Sequence, residues 1–413
     1  MIKRFSAVLL ALTITVGAFA GCSKDKDSSS SKSDSSASSS ASSEIAGPTA
    51  EDDTETVPEP SLTIDGEAVD TTDFVMCTVD GFDVSFDQFR YYYYYTLATL
   101  SQTYGTTIED IKNTENGLET FMDNVLTSIK QDYVSDKLAK ENDITLDDED
   151  YKVIDEQIET AKSNYESEEA YQQALKSSYL TEDLYRSMLE RAQLYSKVYD
   201  TLFSNDGKYA TSREDFKKLV QDTDEFCHEI HVMIPYYSQV ELDDSSAEGY
   251  DDMTLSQKSS VKSAAYEALD DDGKASAKEA AKAVAEDVLK KANGGEDFEK
   301  LIEEYGWDIG LEDPSIGYYI EKNSTGGYPD ELIEEGFKLK VDGISDKLVE
   351  NSTYGYFIVK RLAPDMDYVE ENIDDMIASY DQPAITKIFE EQMESMTVTY
   401  CDSWDKLDMD SIT

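Results

Sequence analysis

The chain has 413 residues, with 89 acidic side chains against 36 basic ones and a formal charge of -53. A surface of that sign repels polyanions and lacks the basic stripe that phosphate neutralisation needs, so nucleic acid is excluded as a partner. At 39% hydrophobic and 11% aromatic the chain can still bury a core, and its length suits two or three domains and a tail.

The first 22 residues place Lys3 and Arg4 before an apolar run from Phe5 to Ala20 and stop at Gly21-Cys22. That order is a secretory signal, too short for a membrane span. "AFAGC" resembles the bacterial lipobox, in which the cysteine is lipidated and becomes the mature N-terminus. The resemblance makes Cys22 the lipidation site and puts the chain on the extracytoplasmic face of the bacterial membrane; ordinary signal cleavage nearby is the alternative. Residues 23–60, serine-rich and then acidic with prolines, cannot bury enough to fold and are a tether. The remaining cysteines, Cys77, Cys227 and Cys401, have no CxxC spacing, so structural zinc is excluded and no cofactor is called for.

"TIDGEAV" at 63–69 and "TVDGFDV" at 78–84 each put Asp-Gly between short alternating runs, the local signature of a hairpin. Ser85 and Gln88 have capping-box spacing and open a helix containing "RYYYYYTLATL". Five consecutive tyrosines exceed one turn, so Tyr91, Tyr94 and Tyr95 are expected to pack inward with Leu97 or Leu100. The remaining rings are left as an amphipathic platform for unfolded segments. From Glu115 to Asp222 apolar residues recur at three- and four-residue intervals, giving a helical domain over 61–225.

The pattern changes at Phe226. "CHEIHVMIPYY" at 227–237 holds the chain's two histidines, His228 and His231, and within it "EIHVMI" alternates like a strand. Positions three apart on a strand point to opposite faces, which excludes a metal shared between them. A long polar insertion over 237–274, a strong helix, and the strand-like "SIGYYIEK" and "YGYFIVKRL" follow. The chain is helical again after Pro364 and ends in the alternating "TVTYC". That strand should pair with "FVMCTV" near residue 75, since a lone strand cannot satisfy its backbone. Whether Cys77 and Cys401 then form a disulfide stays open.

The blocks "EIHVMI", "AKEAAKAVAEDVLKKANGGEDFEKLIEEYGWD", "SIGYYIEKNSTGGYPDELIEEGFKL" and "DGISDKLVENSTYGYFIVKRL" resemble, in order, those of a parvulin peptidyl-prolyl isomerase domain. The surrounding plan is similar to the PrsA-type foldase lipoproteins and the SurA-type chaperones. The resemblance implies an α+β fold. A mainly helical chaperone domain, 61–225 with 364–413 returning to it, would carry an inserted parvulin-like antiparallel sheet flanked by helices over 226–363. It matches His231 to the first-strand histidine of the isomerase site and Asp308 to a cysteine or aspartate beside it. Ser352 falls near a hydroxyl of the polar network, while Ile316, Tyr328 and Leu332 fall where the proline pocket is lined. Phe357 stands where the family has a second histidine, and Asp313-Pro314 replace glycines before a turn. His228 has no counterpart and is assigned to the domain's edge.

The implied activity is binding of unfolded secreted polypeptides and assistance of their folding by prolyl cis/trans isomerisation, weakened by Phe357. The alternative is a holdase whose parvulin-like domain is a scaffold. A solute-binding lipoprotein is disfavoured, because strand-helix alternation for a parallel sheet is missing. Homodimer formation is left open.

Overall fold

The computed structural model describes residues 59–413 apart from 205–206, 244–248, 312 and 325–326. The signal, Cys22 and the tether up to residue 58 lie outside the described residues. Among those described, no helix is long and apolar enough to cross a membrane.

The protein is α+β, and its chain divides into two compact units, one made of residues up to Tyr209 together with Pro383–Thr413, the other Ala210–Gln382. Strands β1 (Leu62–Ile64) and β2 (Glu67–Val69) form one antiparallel hairpin, and β3 (Val75–Val79) and β4 (Phe82–Ser85) form a second. Both turns put Asp-Gly at two successive positive φ angles, 53° and 80° at Asp65-Gly66 and 50° and 84° at Asp80-Gly81. Only Asx-Gly accepts that pair readily, and its twist matches the flanking strands. Helix α1 (Phe86–Tyr104) follows, with the Ser85 hydroxyl accepting from the Gln88 N–H at 3.3 Å.

The helices α2 (Ile108–Asn113), α3 (Gly117–Glu141), α4 (Asp148–Ser163), α5 (Glu168–Ser177) and α6 (Glu182–Leu202) complete the first run. In the second unit come α7 (Arg213–Gln221), β5 (Phe226–Ile234), α8 (Leu255–Glu267), α9 (Asp271–Asn293), α10 (Phe298–Tyr305) and β6 (Tyr318–Glu321). They are followed by α11 (Asp330–Lys338), β7 (Val349–Asn351), β8 (Gly355–Leu362) and α12 (Met366–Glu371). Helix α13 (Ile373–Ser395) contains Pro383, where the chain passes back to the first unit, and β9 (Val398–Tyr400) ends the series.

The first unit closes as the strand pattern requires. β9 pairs antiparallel with β3, Cys77 opposite Tyr400 and Val79 opposite Val398. Cys77 is buried and Cys401 half-buried, and both are free thiols; burial, with the Cys401 thiol beside it, pushes Cys77 up to about 12. The core joins Met76, Val79, Phe89 and Tyr93 to Val125, Ile129 and Leu138 of α3 and to Ile385, Met396 and Ile412. The tyrosine run sits in a different phase from the one expected. Tyr92 and Tyr93 are buried, Tyr91 and Tyr94 are half-buried, and Tyr95 is 47% exposed. Phe86 and Phe89 set the inward stripe, which continues four residues on at Tyr93 and then at Thr96. Tyr95, two positions past Tyr93, is turned about 200° away.

The second unit is built on a four-stranded antiparallel sheet in the order β6-β5-β8-β7. Along β5, Ile230, Val232 and Ile234 face a core with Ala281, Ala285, Val288 and Ala292 of α9 and Phe298, Leu301 and Ile302 of α10. The other face presents Cys227, Glu229, His231 and Met233 toward α11. A Cβ added at Gly336 of that helix would stand 2.8 Å from the Cys227 sulfur, so glycine permits the close approach. The compact unit, Ala210–Gln382, extends at both ends beyond the 226–363 that the resemblance implies. Phe216 and Val220 of α7 pack with Phe226, Val369, Ile373 and Ile377, tying α7, α12 and the first turns of α13 to the sheet's end. Helix α8, in the insertion, has no buried residue.

His228 is not at an edge. β5 is flanked on both sides, and His228 is 4% exposed, stacked on Tyr319 at 4.2 Å. Its Nδ1 and Nε2 each lie 2.7 Å from a backbone carbonyl, those of Ala363 and Ile316.

Candidate functional site

The site grows from the alternation of β5. Glu229 and His231, two apart, share the face turned toward α11, and His231 is 3% exposed. The Trp307 N–H donates to the Met233 carbonyl at 2.9 Å, docking the segment after α10 onto the strand, and the next residue, Asp308, reaches the imidazole. His231 Nε2 lies 2.9 Å from Asp308 Oδ2 and Nδ1 lies 3.1 Å from Glu229 Oε1. The Tyr318 hydroxyl donates to the same Asp308 Oδ2 at 2.8 Å, and the Gly310 N–H donates to Oδ1 at 2.9 Å. Tyr318 stacks on the imidazole at 5.5 Å, and Phe357 meets it edge-on at 5.2 Å.

Electrostatics follow from these contacts. Burial works against a charged His231, but the Glu229 charge and the bonds to Asp308 and Glu229 outweigh it and raise the imidazole to about 9. Burial likewise works against an ionised Asp308, and the His231 bond and charge overcome it, lowering the carboxyl. Burial, the Asp308 bond and its charge push the Tyr318 hydroxyl up, which keeps it a donor. Beside this polar row lies an apolar floor of Leu332, Val349, Phe357 and Val359, edged by Met233, Tyr328 and Leu339.

His231, Asp308, Tyr328, Leu332 and Phe357 are therefore brought to one face. Ile316 is half-buried and meets His228 through its carbonyl, on the opposite side of the strand from His231. Ser352 is exposed in the turn between β7 and β8, apart from the cluster. Two members were missed by sequence reasoning. Glu229 was legible, because a two-residue interval on a strand puts it beside His231; Tyr318 was not, since only the register Glu229 to Tyr318 between β5 and β6 assigns its side.

Residues 63–199 match the family model of the SurA-like N-terminal domain. This stretch is similar to a SurA-like N-terminal domain. It takes in both hairpins and runs through α1 into α6, so the tyrosine run lies within the matched stretch. Among solved structures the chain is similar to PrsA from Bacillus subtilis, at 17% identity over 78% of this chain and 93% of that one, with a TM-score of 0.24. It is similar also to the peptidylprolyl isomerase PrsA from Bacillus cereus, at 15% identity over 78% and 92%, TM-score 0.30. For the foldase protein PrsA from Streptococcus pneumoniae the figures are 19%, 69% and 91%, TM-score 0.25. No curated protein matches the chain.

Proposed function

We propose that the chain is an extracytoplasmic foldase, anchored through a lipid on Cys22, whose SurA-like domain holds unfolded exported polypeptides while the sheet unit isomerises their prolyl bonds. The observation that carries this is the His231–Asp308 pair at 2.9 Å beside the apolar floor of Leu332, Tyr328 and Phe357. Rotation about a prolyl bond faces a barrier of about 18–20 kcal/mol set by amide resonance, and the bond turns over unaided in tens of seconds. No nucleophile is required. A dry floor that grips the ring, with fixed polar groups that favour the twisted amide over the planar one, lowers the barrier. Asp308 and Tyr318 supply fixed polar groups at the edge of such a floor.

The holdase alternative rests on Phe357, which packs edge-on against His231 and offers no hydrogen bond. A protease-coupled prolyl-peptide assay run beside an aggregation-suppression assay decides between them. Isomerisation is expected above background, with Asp308→Ala slowing it about tenfold or more while aggregation suppression is kept. A rate at background, or one indifferent to Asp308, would make the sheet unit a binding module only.

A further inference from the structure

The feature left unused by that mechanism is Glu229. It is 0% exposed, its Oε1 is engaged by His231, and its Oε2 has no hydrogen-bond partner among the described residues. The cation nearest it in register is Arg361 of β8, directly opposite. That guanidinium is committed elsewhere: its nitrogens donate to the carbonyls of Phe337, Leu339, Thr223 and Phe226. Among the described residues, His231 is thus the sole hydrogen-bond partner of the Glu229 carboxylate. Around the imidazole stand Glu229 on its own strand, Asp308 from the segment after α10, Tyr318 from β6, Tyr328 from the segment entering α11, and Phe357 from β8.

A neutral imidazole carries one N–H, yet each nitrogen of this one faces a carboxylate oxygen, at 3.1 and 2.9 Å. Satisfying both acceptors takes both protons. Resting on the isomerase reading of this face, we propose that Glu229 is a positioning residue that holds His231 as an imidazolium between two carboxylates. It stands in, from the neighbouring position on β5, for the polar partner that Phe357 does not provide on β8. The imidazolium then fixes Asp308 and, through it, the Tyr318 hydroxyl at the edge of the apolar floor. Glu229 itself acts only through His231.

The test uses the untagged full chain with isotope-labelled histidine, in which two imidazoles, His228 and His231, give the only signals. A His231→Gln chain assigns them. His231 is expected to show both nitrogens protonated from pH 6 to 8 and to titrate near 9, and Glu229→Gln is expected to leave it neutral at pH 7.5. In the prolyl-peptide assay, Glu229→Gln should lower kcat about tenfold with little change in KM and shift the alkaline fall of the rate to lower pH, while Glu229→Asp restores part of both. A wild-type His231 that is neutral at pH 7.5, with its proton on Nε2 and the second proton on Glu229, overturns the proposal even if no variant folds. Histidine signals unchanged by Glu229→Gln overturn it as well. Absence of isomerisation in the wild type sinks the isomerase reading alone, since the histidine signals still report on Glu229.

Discussion

Arg191 in the helical unit and His231 in the sheet unit are each set between two acids, and the two arrangements differ in kind. In the helical unit Arg191 of α6 lies between Asp132 and Asp136, one turn apart on α3, at 3.3 and 3.5 Å. Those contacts are ion pairs without hydrogen bonds: among the described residues, Asp132 Oδ2, Asp136 Oδ2, Arg191 Nε and Nη1 have no hydrogen-bond partner. The guanidinium instead lies over the Tyr133 ring at 4.3 Å and donates from Nη2 to its hydroxyl at 2.9 Å. In the sheet unit His231 is bonded to both its acids at 2.9 and 3.1 Å. Burial, with Arg191 only partly offsetting it, raises Asp136 to about 6, whereas Asp308 is lowered. Loose pairing around a cation that cannot lose its proton holds two helices together. Tight pairing around one that can lose it fixes a proton and a direction.

The largest expected effect breaks the helical arrangement. Arg191→Met leaves two carboxylates without their cation and should destabilise the first unit by about 3–5 kcal/mol in urea unfolding. Adding Asp132→Asn and Asp136→Asn should recover most of the loss. A single-variant change below about 1 kcal/mol would show that the pairing does not hold α3 to α6.

Next comes a contrast in pH dependence. Asp136 is an acid raised in the folded state from 3.8 to about 6, so it disfavours folding at neutral pH and the penalty fades as pH falls through that window. Relative to Asp136→Asn, the wild type should therefore gain stability on acidification from about 6 to 4, on the order of 3 kcal/mol. His231 is a base raised from 6.5 to about 9. Its contribution is whole below 6.5 and is lost as pH rises through 9, so the sheet unit should weaken on the alkaline side. Stability differences from the wild type that stay constant with pH for both Asp136→Asn and His231→Gln would erase the contrast.

The smallest effect sharpens it. Tyr133→Phe and Tyr318→Phe each remove one hydroxyl bonded to its cluster, for about 1 kcal/mol apiece. Only Tyr318→Phe should also slow prolyl isomerisation, because only that hydroxyl borders the apolar floor.

The same contrast explains what could be read beforehand. Asp-Gly turns, the Ser85 cap, the β5 alternation and the β3–β9 closure follow from local pattern and backbone need, and each appears in the structure. The tyrosine phase escaped because five identical rings carry no pattern of their own, so Phe86 and Phe89 decided it through packing. Asp308 and His231 were found through a resemblance, which had no place for Glu229. Ser352 and Ile316 were matched by position along the chain, while turn geometry put one in solvent and the other against His228. The α7 boundary was hidden because Phe216 and Val220 look like any helical stripe until Phe226 and Val369 cover them.

The closure of the first unit also sets an order of events in time. Ser61 and Thr413, whose side chains bond at 2.6 Å, are 352 positions apart, and the N–H of Ser61 donates to the carbonyl of Thr413. Arg90 and Tyr93 of α1 likewise bond to the carbonyls of Thr413 and Met409. While the chain is being made, β3 stays an open edge until residues 398–400 emerge. The sheet unit is built from one continuous stretch, Ala210–Gln382, and can assemble first. Contacts of such long range close slowly. The first unit thus begins to be made before the sheet unit and is completed after it, its β3 edge unpaired in the interval.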